Sequence, residues 1–171
     1  MRSARYGGIL AAAMVLAFAA CSGDQTTPAT SFTADLSGAK EIPPTPSTAT
    51  GKASCTISGT AFSCTVTYSG LLGNPTASHI HLANAGATGG VRVNLCGVVG
   101  TPACPAATSG TITSGVQSPT LAAGQNAQQA FDQVAAAIGA YGAYVNIHSA
   151  NTTTCPACAN GEIRGQLFVK Y

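Results

Sequence analysis

"KASCTISGTAFSCTVTYSG", residues 52–70, decides how this chain folds. Apolar and polar residues alternate on both sides of Gly59 and Thr60, and a period of two belongs to strands with one covered face. With Gly59 and Thr60 as a two-residue loop, the register follows by counting: Ser58 faces Ala61, Ile57 faces Phe62, Thr56 faces Ser63 and Cys55 faces Cys64. The closing pair of such a hairpin is hydrogen-bonded. Cys55 and Cys64 therefore fall at a non-hydrogen-bonded position, about 4.5 Å apart at Cα and within reach of a disulfide. The same alternation puts Cys55, Ile57, Phe62, Cys64, Val66 and Tyr68 on one face, and Thr56, Ser58, Ser63, Thr65 and Thr67 on the other. The first face is core and the second is wet.

Outward from this hairpin, from Phe32 onward, short alternating runs are broken by Gly, Pro, Asn and Ser. That rhythm predicts an all-β domain over residues 32–171, an antiparallel β-sandwich or barrel. One segment breaks it. In "AAGQNAQQAFDQVAAAIGAYG", Ala127, Phe131, Val134, Ala135 and Ile138 line one helical face, which predicts a short crossover helix near 125–138, ended by Gly139 or Gly142. Cys96 and Cys104 bracket "GVVGTPA" and read as a local staple. "CPAC", Cys155 to Cys158, has the spacing of a thiol redox motif, but it lies in a turn-rich loop between two predicted strands and reads as a structural bridge.

The first twenty residues read as a secretory signal: Arg2 and Arg5 precede an apolar run, Ile9 to Ala20, too short for an ordinary transmembrane helix. The run ends in "AFAAC", which resembles the lipobox of bacterial lipoproteins and marks Cys21 for lipidation; the alternative is cleavage after Ala19. Seven cysteines are odd for an exported protein, and setting Cys21 aside leaves six, an even set for three disulfides. Residues 22–31, "SGDQTTPATS", read as a flexible tether between the lipid and the domain. Ser22 after the cysteine implies the outer membrane of the cell envelope.

Cleavage also removes the apparent basicity. Of seven basic residues Arg2 and Arg5 leave, so five stand against five acidic residues and the mature charge is zero. Nucleic acid is excluded as a partner, because that binding needs clustered Lys and Arg. The Gly-rich "NAGATGG", residues 84–90, lacks the context of a phosphate loop. No Gly-x-Ser-x-Gly elbow is present, and Asp35, Glu41, Asp132 and Glu162 are scattered, so no catalytic residue is assigned and hydrolysis is not expected.

The chain has three histidines. In "ASHIHLA", Ile80 and Leu82 take the core side, so His79 and His81 project from the opposite face. In "AYVNIHS", Ala143, Val145 and Ile147 take the core side, leaving Tyr144, Asn146 and His148 on the outside. An i, i+2 pair on a strand sets two imidazoles about 6.5–7 Å apart at Cα, close enough to share an ion that a third histidine from a neighbouring strand would complete. Three histidines leave an open coordination position and suit copper and zinc equally. Tyr144, Asn146, Asn94, Glu162 and Arg164 are the polar groups placed to hydrogen-bond the ring nitrogens that face away from the ion. The alternative is structural: the histidines support the loop "NAGATGG" against the sheet.

"FTADLSGAKEIPPTPSTATGKASCTIS", "TVTYSGLLGNPTASHIHLANAGATGGVRVNLC", "GAYVNIHS" and "GEIRGQL", in this order, resemble the CHRD domain, a module named after chordin and found in many bacterial exported proteins. The resemblance runs from about Phe32 to Tyr171. It implies a β-rich extracellular module, immunoglobulin-like or superoxide-dismutase-like in fold, in which His79, His81, His148 and Arg164 match family positions. Copper–zinc superoxide dismutase also carries a His-X-His chelate on an outer sheet face, but this chain has no histidines left for a fourth copper ligand or a separate zinc site. The expectation is a lipid-anchored binding module holding one copper or zinc ion, or engaging a protein or glycan partner. The alternatives are a mononuclear copper oxidoreductase and a metal-free adhesive module.

Overall fold

The computed structural model describes residues 31–151 and 153–170. The signal segment, Cys21 and nearly all of the tether lie outside them. The elements are β1 (Ser31–Ser37), β2 (Thr50–Ser58), β3 (Ala61–Ser69), β4 (Pro75–Leu82), β5 (Val91–Cys96), β6 (Gly110–Gln117), α1 (Ala127–Gly139), β7 (Ala143–Ser149), β8 (Ile163–Gln166) and β9 (Phe168–Val169).

The β2–β3 hairpin has the counted register from Ser58↔Ala61 to Cys55↔Cys64 and continues to Thr50↔Ser69. Gly59 has φ 58°, the left-handed conformation required at the first loop position of a type II′ turn, which matches the twist of the strands. Cys55 and Cys64 are bonded with Cα atoms 4.1 Å apart, and Cys96–Cys104 and Cys155–Cys158 are bonded as well. Thr56, Ser58, Thr65 and Thr67 are exposed, Ser63 is half-buried, and Cys55, Phe62, Cys64, Val66 and Tyr68 are core. Ile57, near the hairpin tip, is only partly buried against it.

All strands pair antiparallel in one sheet ordered β5-β4-β7-β8-β1-β2-β3-β6, with β9 pairing beside β1. The sheet curls until its two ends meet. Beyond β6, the Thr120 N–H donates to the Arg92 carbonyl of β5 at 2.7 Å, so the barrel is nearly closed. Helix α1 starts at Asn126, whose side chain accepts from the Gln129 N–H while Gln129 reaches back to the Asn126 N–H, a reciprocal cap. Val134 and Ile138 enter the core, and the Phe131 ring lies 5.4 Å from that of Phe62. Ala130 is buried on this stripe; Ala127, expected there, stands at the first helical residue and is exposed. The C-terminal run is two strands, because β8 pairs with β7 whereas β9 pairs with β1, with Leu167 fully buried between them.

One expectation is corrected. The non-core face of β4, β7 and β8 is not outside. Tyr144 and Asn146 are buried, as are His79 and His81, because the segment 83–90 and the turn Pro156–Asn160 fold over that face. Alternation assigns side chains to a face; it does not say what covers the face.

Candidate metal centre

Strand pairing builds the site in rows. Asn94 faces His79, which faces Asn146, which faces Arg164, across β5, β4, β7 and β8. In the next row His81 faces Tyr144, which faces Gln166. His148 lies two residues along β7 from Asn146 and so shares its face. One ring nitrogen from each of His79, His81 and His148 falls within 4.8 Å of the other two. Nitrogens about 2.0–2.1 Å from a common ion stand roughly 3.3–3.6 Å apart, so closing on an ion takes about 1 Å of side-chain movement. His79 Nδ1 and His148 Nε2 already stand 3.2 Å apart.

Two backbone carbonyls orient the rings. His81 Nδ1 donates to the Gly89 carbonyl at 2.9 Å, and His148 Nδ1 donates to the Ala159 carbonyl at 2.9 Å. A neutral imidazole carries one proton, so Nε2 of both rings is a bare lone pair. Asn146 lies between them, Oδ1 3.2 Å from His81 Nε2 and Nδ2 3.0 Å from His148 Nε2. Its amide can donate to only one of the two. Whichever way the amide is turned, one of the two lone pairs faces its oxygen; His79 Nδ1, 3.2 Å from His148 Nε2, is the other group that can donate there, and a cation among the three rings would serve all three nitrogens at once.

Burial keeps the cluster neutral. His79 is lowered from 6.5 to about 4, first by desolvation and then by the neighbouring rings of His148 and His81. Desolvation also lowers His81, where the hydrogen bonds to Gly89 and Asn146 pull back and His148 and Arg164 push further down. His148 is lowered by desolvation and partly restored by Ala159. Neutral imidazoles are the form that binds metal.

Of the other polar residues expected here, Asn146 touches two imidazoles. Tyr144 acts by stacking: its ring lies parallel to that of His81 with centroids 4.8 Å apart, and the Arg164 guanidinium sits 4.2 Å from the Tyr144 centroid. Tyr144 also receives the Gly89 N–H at 3.4 Å. Among the described residues no hydrogen bond joins Asn94 or Glu162 to an imidazole. Asn94 stands beside His79 in its row. Glu162 turns away, accepting from the Ser47 hydroxyl at 2.6 Å and the Leu72 N–H at 2.7 Å. Gly89 and Ala159 were not legible as site residues, because a carbonyl leaves no trace in side-chain identity. A Cβ at Gly89 would sit 1.9 Å from the Leu82 carbonyl oxygen, so only glycine allows this approach.

The model of the CHRD domain matches residues 32–167. The chain belongs to the CHRD-domain family. No curated protein and no solved structure matches it. Within this CHRD domain, the "SHIH" stretch on β4 and the "NIH" stretch on β7 are joined by strand pairing, and the "EIRG" stretch on β8 reaches them through Arg164 and Tyr144. The domain therefore presents a covered cluster of three imidazoles that could hold a metal ion.

Proposed function

We propose that this CHRD domain is a metal-binding module that holds one copper or zinc ion through His79 Nδ1, His81 Nε2 and His148 Nε2. The observation that carries the reading is the pair of bare Nε2 lone pairs, left by proton donation to Gly89 and Ala159 and competing for one amide. Histidines that only supported the loop would have no need to turn three ring nitrogens toward one point, within 4.8 Å of one another. Three neutral nitrogens leave room for a further ligand, an arrangement suited to loading and releasing an ion. The module works at the cell envelope, exported by residues 1–20 and held in the outer membrane by a lipid on Cys21. Its role there is metal acquisition or buffering, with handover to a protein partner.

The test is a competition titration of Cu(II), Cu(I) and Zn(II) against the wild type and the His79→Ala/His81→Ala/His148→Ala variant. One ion bound at submicromolar Kd and lost in the variant supports the reading; equal weak binding by both refutes it. Fatty-acid labelling in the native host, lost in Cys21→Ser, tests the anchor separately.

A further inference from the structure

Arg164, whose guanidinium sits over Tyr144, also lines a cavity of about 600 Å³. Its walls come from "LSGAKEIPP", residues 36–44, the "IRGQLF" run, residues 163–168, and Ala85 and Gly86 of the loop that covers His81, and none of the three imidazoles lines it. We propose that this cavity binds an amphipathic anion, an apolar chain or ring ending in one carboxylate, with its head toward Arg164 and Lys40 and its body against Ile42, Pro44, Ala85 and Phe168. The proposal does not depend on the metal.

The size and lining fit such a ligand. Small-molecule sites hold about 300–1,000 Å³ and combine apolar walls with a few convergent polar groups. Ile42 and Phe168 are 37% and 49% exposed at this cavity, and Phe168 leans on Tyr141 with ring centroids 5.3 Å apart.

The charge fits an anion. Arg164 is buried and fixed, Nε donating to the Lys40 carbonyl at 2.7 Å and Nη2 to the Ala87 carbonyl at 2.9 Å. Both acceptors are neutral, and a buried guanidinium needs a countercharge. Glu41 supplies one at 4.0 Å, too far for a close pair, and its Oε1 has no hydrogen-bond partner. Burial pushes the Glu41 carboxyl up to about 7, against the pull of Arg164, so near neutral pH the pair is incompletely balanced. Lys40 adds a second positive charge. Glu41 lines the same cavity, so the two cations stand against one partly ionised carboxyl and the sum is positive; a cationic ligand would add to that excess, whereas a carboxylate offsets it.

The experiment is calorimetric titration of decanoate, decanol and decylamine, each below its micellar range, into the wild type, Ala39→Phe and Lys40→Gln. Ala39 lines the cavity from an exposed position, so a phenyl ring there fills the space without entering the core. The expected result is saturable one-to-one binding of decanoate, at least tenfold tighter than of decanol or decylamine. It should be lost in Ala39→Phe, whose melting transition stays intact, and weakened severalfold in Lys40→Gln. Equal uptake of all three probes, no saturable decanoate binding, or decanoate binding unchanged in Ala39→Phe would overturn the proposal.

Discussion

His81 Nε2 stands 3.2 Å from the Asn146 side-chain amide, and because the single proton of the ring is given to Gly89, that nitrogen meets the amide as an acceptor. An amide shared by two such nitrogens can donate to one of them, and a proton or a metal ion can serve the other. Burial opposes a second proton on His81, as do the neighbouring His148 and Arg164, and together they outweigh the hydrogen bonds to Gly89 and Asn146 that favour it. The contact is accordingly sensitive to what replaces the amide.

Asn146→Asp places a negative charge between His81 and His148. The carboxylate accepts from both rings, so the imidazole pKa values rise. It also offers a divalent ion a charged ligand, and affinity for Zn(II) increases about tenfold, the scale on which groups around a metal site act. Histidine proton shifts followed by NMR against pH, beside a zinc titration, check this. Unchanged histidine titration would mean that residue 146 does not face the rings.

Metal binding should persist into acid. Protons compete with the ion only where imidazole is protonated, and free histidine titrates near 6.5. With His79 lowered to about 4 and the other two rings also lowered, affinity holds through pH 6 and falls as pH approaches 4. A metal-affinity profile across pH 4–8 reads this directly. A tenfold loss already at pH 6 would contradict the burial of the cluster.

In the metal-free protein two buried groups oppose each other. His79, depressed from 6.5 to about 4, contributes stability that is present above 6.5 and lost as pH falls toward 4, up to about 3 kcal/mol. His81 and His148 act with the same sign. Glu41, raised from 4.5 to about 7, contributes stability that is present below 4.5 and lost as pH rises to about 7, again up to about 3 kcal/mol. Urea midpoints under chelation should therefore fall more steeply with acid in Glu41→Gln than in wild type. In His79→Gln the acid-side loss shrinks. Parallel profiles for all three proteins would refute the opposition.

The Cys155–Cys158 bridge closes the turn Pro156–Asn160 that carries the Ala159 carbonyl to His148. Cys155→Ser/Cys158→Ser lengthens no path but frees the turn, lowering stability by about 2 kcal/mol by loop-entropy scaling. It also loosens the ring that Ala159 orients, and metal affinity drops about 10–100-fold. Denaturant midpoints and metal titrations of the variant separate the two effects. The wild-type affinity in the variant would show that the turn does not position His148.

The sequence by itself determined the hairpin register, the Cys55–Cys64 bridge, the face split of β2 and β3, and the shared face of the three histidines. These follow from a period of two and from turn chemistry, which act between near neighbours. Tertiary structure alone decided that this second face is covered. The loop 83–90 directly follows β4 and the Cys155–Cys158 turn follows β7 within a few residues, yet that each folds back over the histidine face is not written in strand alternation, and their carbonyls, not side chains, set the imidazole protons. Tertiary structure also turned Glu162 toward Ser47 and Leu72, and set Arg164 over Tyr144. Alternation names the face a residue takes, but what lies on that face depends on contacts across the sequence that no local pattern encodes.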